Sequence, residues 1–291
     1  MWIAFALISA VCLGFYDVVK KVALNGNNVF TVLFLNTLFC TLFMSPALVA
    51  TLTDMSSNFV KPENHLLIFI KAVIVTSSWL LGYFAIKHLP LTIQSSINAF
   101  RPVLVLVGAM IIFGEQLNTL QWIGIILGFI SLLWVGFIGK REGFSLRHNK
   151  WIWAGLLSVG LWAISGLYDK YLMTRFKPIN VEAWYSFYQL VIMSFVMACI
   201  NKFAKRRSPF QWRWSILMIS VFICIADLTY FFALAEPGSL VSIASMVRRG
   251  SALVAFFYGI FILHERDVKL KIIDQCILIL GVFFLVLGSL N

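Results

Sequence analysis

Six charged residues lie inside long apolar stretches of the sequence, where a charge is costly. They are Asp17, Arg101, Asp169, Asp227, Arg248 and Arg249. Charges in such stretches usually face a cavity or pair with an opposite charge, and they are functional candidates by default. A guanidinium group can bind a carboxylate or a phosphate. A carboxylate can neutralise an empty arginine or carry a proton, so these residues indicate anion binding or proton transfer in an apolar setting.

The positions of these charges suggest particular ion pairs. Asp17 lies near the end of the first apolar stretch and Arg101 about halfway along the fourth, so their depths allow an Asp17–Arg101 pair. The corresponding pair in the second half of the chain is Asp169 with Arg249. Asp227 and Arg248 have no counterparts in the first half, and an asymmetric pair between them is a further possibility.

Polar and aromatic residues accompany the arginines. Gln94, Asn98 and Arg101 are spaced by four and three residues, and Ser245 precedes Arg249 by four, so each set shares a helix face. Such a stripe is either the wall of a hydrated cavity or a small-residue packing surface, and the arginine favours the cavity. The candidate aromatic contacts for a substrate, each of which also suits the core, are Trp79, Tyr83, Trp162, Tyr188 and Tyr230.

The composition decides what surrounds these residues. The 291-residue chain is 61% hydrophobic and 12% charged, and its mean hydropathy is +0.92. A soluble domain cannot bury so much apolar surface, and disordered chains are polar, so the chain is predicted to be an all-α polytopic membrane protein. Ten spans are predicted: 2–22, 29–50, 66–88, 90–113, 118–138, 151–173, 181–201, 212–235, 238–262 and 270–290.

An internal repeat organises the predicted spans. At a shift of 152 residues, Gly14–Asp17 matches Gly166–Asp169, and at a shift of 148, Arg101-Pro102 matches Arg249-Gly250. The halves, 1–140 and 151–291, each hold five spans, and an odd number makes the second repeat inverted. Inverted repeats are typical of secondary transporters with a site near the bilayer midplane. The alternatives are duplication retained for stability, and a non-transporting membrane scaffold or sensor with structural ion pairs.

Short motifs at these spacings resemble the EamA-type members of the drug/metabolite transporter superfamily. They include Phe113-Gly114-Glu115 after the fourth span, and Phe232-Ala233-Leu234 and Leu263-His264-Glu265 in the second half. The resemblance implies a ten-span exporter or exchanger of small metabolites such as amino acids, and the intramembrane arginines favour a polar or anionic one. It also implies a cavity lined by spans 1, 3, 4, 6, 8 and 9, and an inner-membrane location in bacteria. His264 in place of a glycine departs from the first-half motif.

Charge distribution bears on orientation and on partners. Fifteen of the 23 Lys and Arg residues flank odd-numbered connections and five flank even ones. By the positive-inside rule the termini would face outward, whereas the resemblance implies termini in the cytoplasm. The net charge of +11 is explained by this bias without nucleic acid.

Other motifs add little further chemistry. No catalytic or metal-ligand spacing is visible, so neither an enzyme nor a cofactor is predicted. The expected partners are membrane lipid and a small metabolite. Transport of the metabolite could be coupled to protons. Gly124 and Gly128 form a GxxxG motif that suits internal packing or a dimer.

Overall fold

The computed structural model describes residues 1–53, 62–88, 97–98, 101–140, 150–203, 210–251, 253–254, 257–258 and 268–290. Within these ranges the chain forms ten helices and no strand. They are α1 (Trp2–Leu24), α2 (Val29–Thr53), α3 (Pro62–His88), α4 (Arg101–Phe113), α5 (Thr119–Lys140), α6 (Lys150–Met173), α7 (Pro178–Phe203), α8 (Trp214–Ala235), α9 (Val241–Arg248) and α10 (Val268–Leu290).

Six of the described helices are long and apolar enough to cross a bilayer: α1, α2, α3, α6, α7 and α8. Helices suit this environment because they satisfy their backbone hydrogen bonds internally, where lipid offers no partners. Large apolar side chains on their outer surfaces and on α5, such as Phe195 (71% exposed) and Leu133 (72% exposed), suit contact with lipid chains. The protein is therefore an integral, multi-pass membrane protein.

The remaining helices account for the other predicted spans only in part. Shorter apolar helices cover Arg101–Phe113, Thr119–Ser131 and Ile272–Gly288, and α9 has eight described residues. The predicted spans 90–113 and 238–262 extend beyond the described residues, so the structure describes only part of each. Helix α9 ends at Arg248, and the amides of Arg249 and Gly250 donate hydrogen bonds to the carbonyl oxygens three residues earlier.

The main helix contacts join the first half of the chain to the second. Helix α1 packs on α8, α3 on α6, α2 on α7, and α5 on α10. Helix α4 contacts α6 and α9, and α1 contacts α9. When α1–α5 are exchanged for α6–α10 in order, these contacts map onto one another. The halves are therefore interleaved, and the core lies between them.

Glu115 connects the two halves at the start of α9. Gly114 adopts a positive φ of 62° after the end of α4, a conformation that glycine adopts without strain. The Glu115 carboxylate accepts hydrogen bonds from the amides of Val241 (2.6 Å) and Ser242 (3.2 Å) and from the Ser242 hydroxyl. A carboxylate at this position satisfies free amides and the positive end of the helix dipole. It fixes the beginning of α9 to the loop after α4.

The α5–α10 interface depends on closely packed glycines within the chain. A Cβ atom on Gly124 would lie 2.7 Å from the Gly281 carbonyl oxygen and 2.9 Å from the Leu285 amide nitrogen. A Cβ on Gly281 would lie 3.0 Å from the Gly124 carbonyl oxygen. The GxxxG motif thus lets two backbones of the same chain approach each other, as small residues do between membrane helices.

Substitution of Gly124 by alanine is expected to lower the free energy of unfolding by about 1–3 kcal/mol, as overpacking does in cores. The measurement is thermal unfolding of purified protein in detergent. Gly160→Ala is the matched control, because a Cβ on Gly160 of α6 would meet no atom within 4 Å. Equal melting temperatures for the two variants would contradict the close packing of α5 on α10.

Candidate functional site

Arg101 begins α4 and lies against the aromatic face of Trp162 on α6. The guanidinium carbon is 3.7 Å from the centroid of the indole ring. Its Nε atom is buried and has no hydrogen-bond partner among the described residues, and no described carboxylate forms an ion pair with it. The predicted Asp17–Arg101 pair is wrong. Arg101 is a cation held by an aromatic ring, without a counter-ion in the described part of the chain.

Asp17 pairs within its own helix instead. Lys20, one turn further along α1, lies 2.6 Å from the Asp17 carboxylate. The Lys20 ammonium also lies 4.4 Å from the centroid of the Tyr16 ring, and the Tyr16 and Tyr83 hydroxyls are 3.2 Å apart. A local partner three residues away neutralises Asp17 without requiring a second helix, so Arg101 is not needed for that role.

Asp169 pairs with Lys71, which links α6 to α3. Both side chains are buried, and the Lys71 ammonium lies 4.4 Å from the Tyr185 ring centroid and 4.6 Å from that of Phe231. The predicted Asp169–Arg249 pair is therefore wrong. Lys71 belongs to the predicted span 66–88, and a lysine inside a span could have been predicted to be buried and paired with an opposite charge.

Asp227 and Arg248 form the predicted asymmetric pair. Arg248 Nη2 on α9 lies 2.9 Å from the carboxylate of Asp227 on α8, and its guanidinium lies 4.2 Å from the Tyr230 ring centroid. Helix α4, which begins with Arg101, contacts α9, which carries Arg248, and the charges of Arg248 and Asp227 act on Arg101. The structure thus brings two arginines, one aspartate and two aromatic rings, Trp162 and Tyr230, into one group. We call these five residues the arginine cluster.

Arg249 points away from the arginine cluster. Its guanidinium donates to the Gly128 carbonyl oxygen (2.5 Å) and the Ser131 hydroxyl (3.2 Å) on α5. Ser131 donates in turn to Asp274 on α10 at 2.5 Å. Adjacent residues of a helix project about 100° apart, so Arg248 and Arg249 reach different neighbours. This position fits a structural link among α5, α9 and α10 better than the substrate contact expected for Arg249.

Replacement of Arg249 by glutamine is expected to lower the melting temperature, because the Gly128 carbonyl, Ser131 and the buried Asp274 lose a charged partner. Leaving such groups unsatisfied costs about 1–3 kcal/mol. Addition of Asp274→Asn in the same chain is expected to recover part of the loss, since it removes the uncompensated carboxylate. A stable Arg249→Gln protein that fails to bind anions would instead place Arg249 in the binding site.

The other predicted contacts are spread through the bundle. Gln94 lies outside the described residues, and Asn98 is exposed. Ser245 and Trp79 are buried, and Tyr83 belongs to the pair with Tyr16. Tyr188 on α7 is hydrogen-bonded to the Nδ1 atom of His65 on α3 at 3.1 Å. Among the predicted aromatic residues, Trp162 and Tyr230 contact the guanidinium groups of Arg101 and Arg248.

Four buried charges inside predicted spans were missed by the sequence interpretation: Lys20, Lys71, Glu182 and Asp274. Lys20 and Lys71 were counted as loop charges, although their residues are only 9% and 2% exposed. Glu182 of α7 is 2% exposed, and its Oε2 atom has no hydrogen-bond partner among the described residues. Each of these four residues lies within a predicted span, which is the signal that identifies such charges.

The chemistry available at the arginine cluster is anion binding. No group of three or more His, Cys, Asp or Glu side chains suitable for a metal ion occurs in the described ranges. Arginine guanidinium groups present several N–H donors that match the geometry of a carboxylate or a phosphate. Trp162 and Tyr230 supply flat surfaces against which these guanidinium groups are held. The cluster therefore has the charge and the donors to receive an anion.

Comparison with known proteins gives related sequences and folds. The model of the EamA-like transporter family matches residues 1–137 and 149–287. An "Uncharacterized transporter" of Archaeoglobus fulgidus is 23% identical over 294 residues, which cover 99% of each chain. The "Uncharacterized transporter YvbV" of Bacillus subtilis is 28% identical over 175 residues, covering 59% of this chain and 55% of that protein.

A solved structure, titled only as the crystal structure of a protein, has a similar fold. Its TM-score is 0.75 with 12% sequence identity, and the match covers 98% of this chain and 96% of that one. At this identity the likeness concerns the fold alone. The family match covers nearly the whole chain in two segments. From this match, and from the helical membrane architecture, the chain belongs to the EamA-like transporter family.

Proposed function

We propose that the protein is a secondary active transporter that exports or exchanges a small anionic or polar metabolite by alternating access. The two halves would form inverted five-helix repeats that rock about a site between them. The sequence repeat and the packing pattern, which maps onto itself when the halves are exchanged, support this arrangement. Transporters with such repeats bind substrate near the midplane, where the halves meet. Arg101 on α4 and Trp162 on α6 contribute to the site from different halves.

The class of substrate is inferred from the surroundings of Arg101. Its guanidinium is stacked on Trp162 and has a buried Nε atom without a hydrogen-bond partner in the described ranges. An unpaired charge away from water is costly. A carboxylate or phosphate on the substrate would supply both the missing charge and hydrogen-bond acceptors, and charge-assisted bonds of this kind are strong. An anionic group is therefore the expected recognition element.

The neighbouring Arg248–Asp227 pair offers a route from binding to conformational change. A substrate anion near Arg101 would compete with Asp227 for Arg248, because both arginines act on the same region. Release of Asp227 would loosen the contact between α8 and α9. A ligand shifts a conformational equilibrium only by interacting differently with the two states. Displacement of Asp227 would provide such a difference between the occupied and the empty transporter.

Counterflow in proteoliposomes tests this function. Purified protein is reconstituted in liposomes loaded with a mixture of amino acids and small carboxylates, and uptake of each radiolabelled compound is measured from outside. We expect trans-stimulated uptake of one or more compounds that carry a carboxylate. Empty liposomes provide the background. Lack of flux for the whole panel, with correctly folded protein, would favour the membrane scaffold or sensor.

A further inference from the structure

Glu182 is a buried acid that the arginine cluster does not use. It is the fifth residue of α7 and lies about 6 Å along the helix axis from Pro178, at a rise of 1.5 Å per residue. The side chain is buried, and its Oε2 atom has no hydrogen-bond partner in the described part of the chain. An ionised carboxylate without a partner is rarely tolerated in such a place, and it usually takes up a proton instead.

The charges around Glu182 are unbalanced. Helix α7 packs on α2, α3 and α8. The charged and titratable groups that act on Glu182 are Lys71 on α3, Asp169 on α6, and Asp227 and Cys224 on α8. Tyr185, on the same helix as Glu182, is in turn influenced by Glu182 and by Cys40 on α2. Asp227 is paired with Arg248, and Lys71 is paired with Asp169. The Lys71 ammonium group, which is paired with Asp169, lies over the ring of Tyr185, three residues after Glu182 on α7. One ammonium group thus serves a region with two carboxyl groups, Asp169 and Glu182.

From this imbalance we propose that Glu182 carries a proton that is taken up and released during the transport cycle, with Lys71 as the group that controls it. In the conformation seen here, Lys71 holds Asp169 as a carboxylate and Glu182 keeps its proton. When Lys71 moves from Asp169 to Glu182, the Glu182 proton leaves to water at the nearby end of α7. When Lys71 returns to Asp169, Glu182 takes up a proton from water again, so one proton is bound and released in each cycle. This proposal rests on the transport function proposed above.

The arginine cluster lies close enough to this site to influence it. Asp169 interacts electrostatically with Arg101 and with Arg248. An anion bound between the arginines adds negative charge near Asp169 and Glu182, and this charge favours the protonated acid. Coupling of two binding events is reciprocal, so a proton on Glu182 in turn favours the bound anion. The expected consequence is that the anion and the proton are carried together.

Infrared spectroscopy of the full-length protein detects the proton directly. The protein is purified in a maltoside detergent, which contains no carbonyl group, and the C=O stretching band of protonated carboxylic acids is recorded at neutral pH. We expect this band in the wild type and its loss in Glu182→Gln. The matched control is Glu63→Gln, since Glu63 is an exposed carboxylate near the start of α3, and this variant should keep the band. A band that keeps its full intensity in Glu182→Gln would overturn the proposal.

A second variant tests the control by Lys71. In Asp169→Asn the ammonium group of Lys71 loses its partner and becomes available to Glu182. The acid should then ionise, so the band is expected to disappear although Glu182 is still present. Thermal unfolding of each variant establishes that it is folded. Retention of the band in a folded Asp169→Asn protein would contradict the role of Lys71.

The coupling to the anion has its own measurement. At an alkaline pH at which the band is half lost, acetate, used as a carboxylate probe, is expected to restore it in the wild type and not in Arg101→Gln. No effect of acetate on the wild type would overturn the coupling. The infrared band needs no transport, whereas counterflow does not report the proton on Glu182. If the protein shows the band but no flux, the proposed transport function is wrong and the protonated Glu182 still stands. If it shows flux but no band, the reverse holds.

Discussion

Arg101→Gln is expected to weaken binding of a carboxylate substrate by about 10- to 100-fold, the equivalent of losing one charged hydrogen bond of roughly 1.5–3 kcal/mol. The substitution removes the cation and keeps a polar side chain beside Trp162. Counterflow of the compound identified in proteoliposomes should fall accordingly. Stability should not fall, because the side chain that is removed is a charge with a buried Nε atom and without an anionic partner among the described residues.

Arg175→Gln is the matched control for this experiment. Arg175 also lies over an aromatic ring, at 4.5 Å from the Tyr171 centroid, but it is exposed just beyond the end of α6. Its replacement is expected to leave binding and flux unchanged. Wild-type binding by a folded Arg101→Gln protein would exclude Arg101 as the anion site. A large loss of stability would instead indicate that Arg101 has a structural function.

Lys71→Met is expected to have the largest effect on folding. Methionine keeps an unbranched, apolar stem beside Tyr185 and Phe231 but leaves Asp169 buried without its ion partner. Removal of one member of a buried ion pair typically costs about 3–5 kcal/mol. The measurement is thermal unfolding in detergent, and a much lower melting temperature than that of the wild type is expected.

The double variant Lys71→Met/Asp169→Asn separates charge from packing. It removes both ionised groups, and replacement of a whole buried ion pair is often close to neutral. We therefore expect it to recover most of the stability lost in Lys71→Met. A double variant as unstable as the single one would show that the aliphatic stem of Lys71, rather than its charge, stabilises the α3–α6 contact.

Several features of the fold follow from the sequence because they depend on composition along one chain segment. Long apolar stretches predict membrane-spanning helices, and six described helices meet that expectation. The Asp227–Arg248 pair could also be predicted, because α8 and α9 are consecutive and both residues lie at similar depth. The Asp17–Lys20 pair is equally local. It was missed because Lys20 near the end of a span was interpreted as a topological charge.

The sequence by itself determined the membrane class, and it predicts ten spans, an internal repeat and the depth of each charge. Tertiary structure decided which charges meet. Depth follows from position along a helix, whereas the direction of a side chain depends on how that helix is rotated against its neighbours. For this reason Lys71 of α3 pairs with Asp169 of α6, and Arg249 turns to α5 while the adjacent Arg248 joins Asp227. Arg101 consequently stays without a partner among the described carboxylates and faces Trp162.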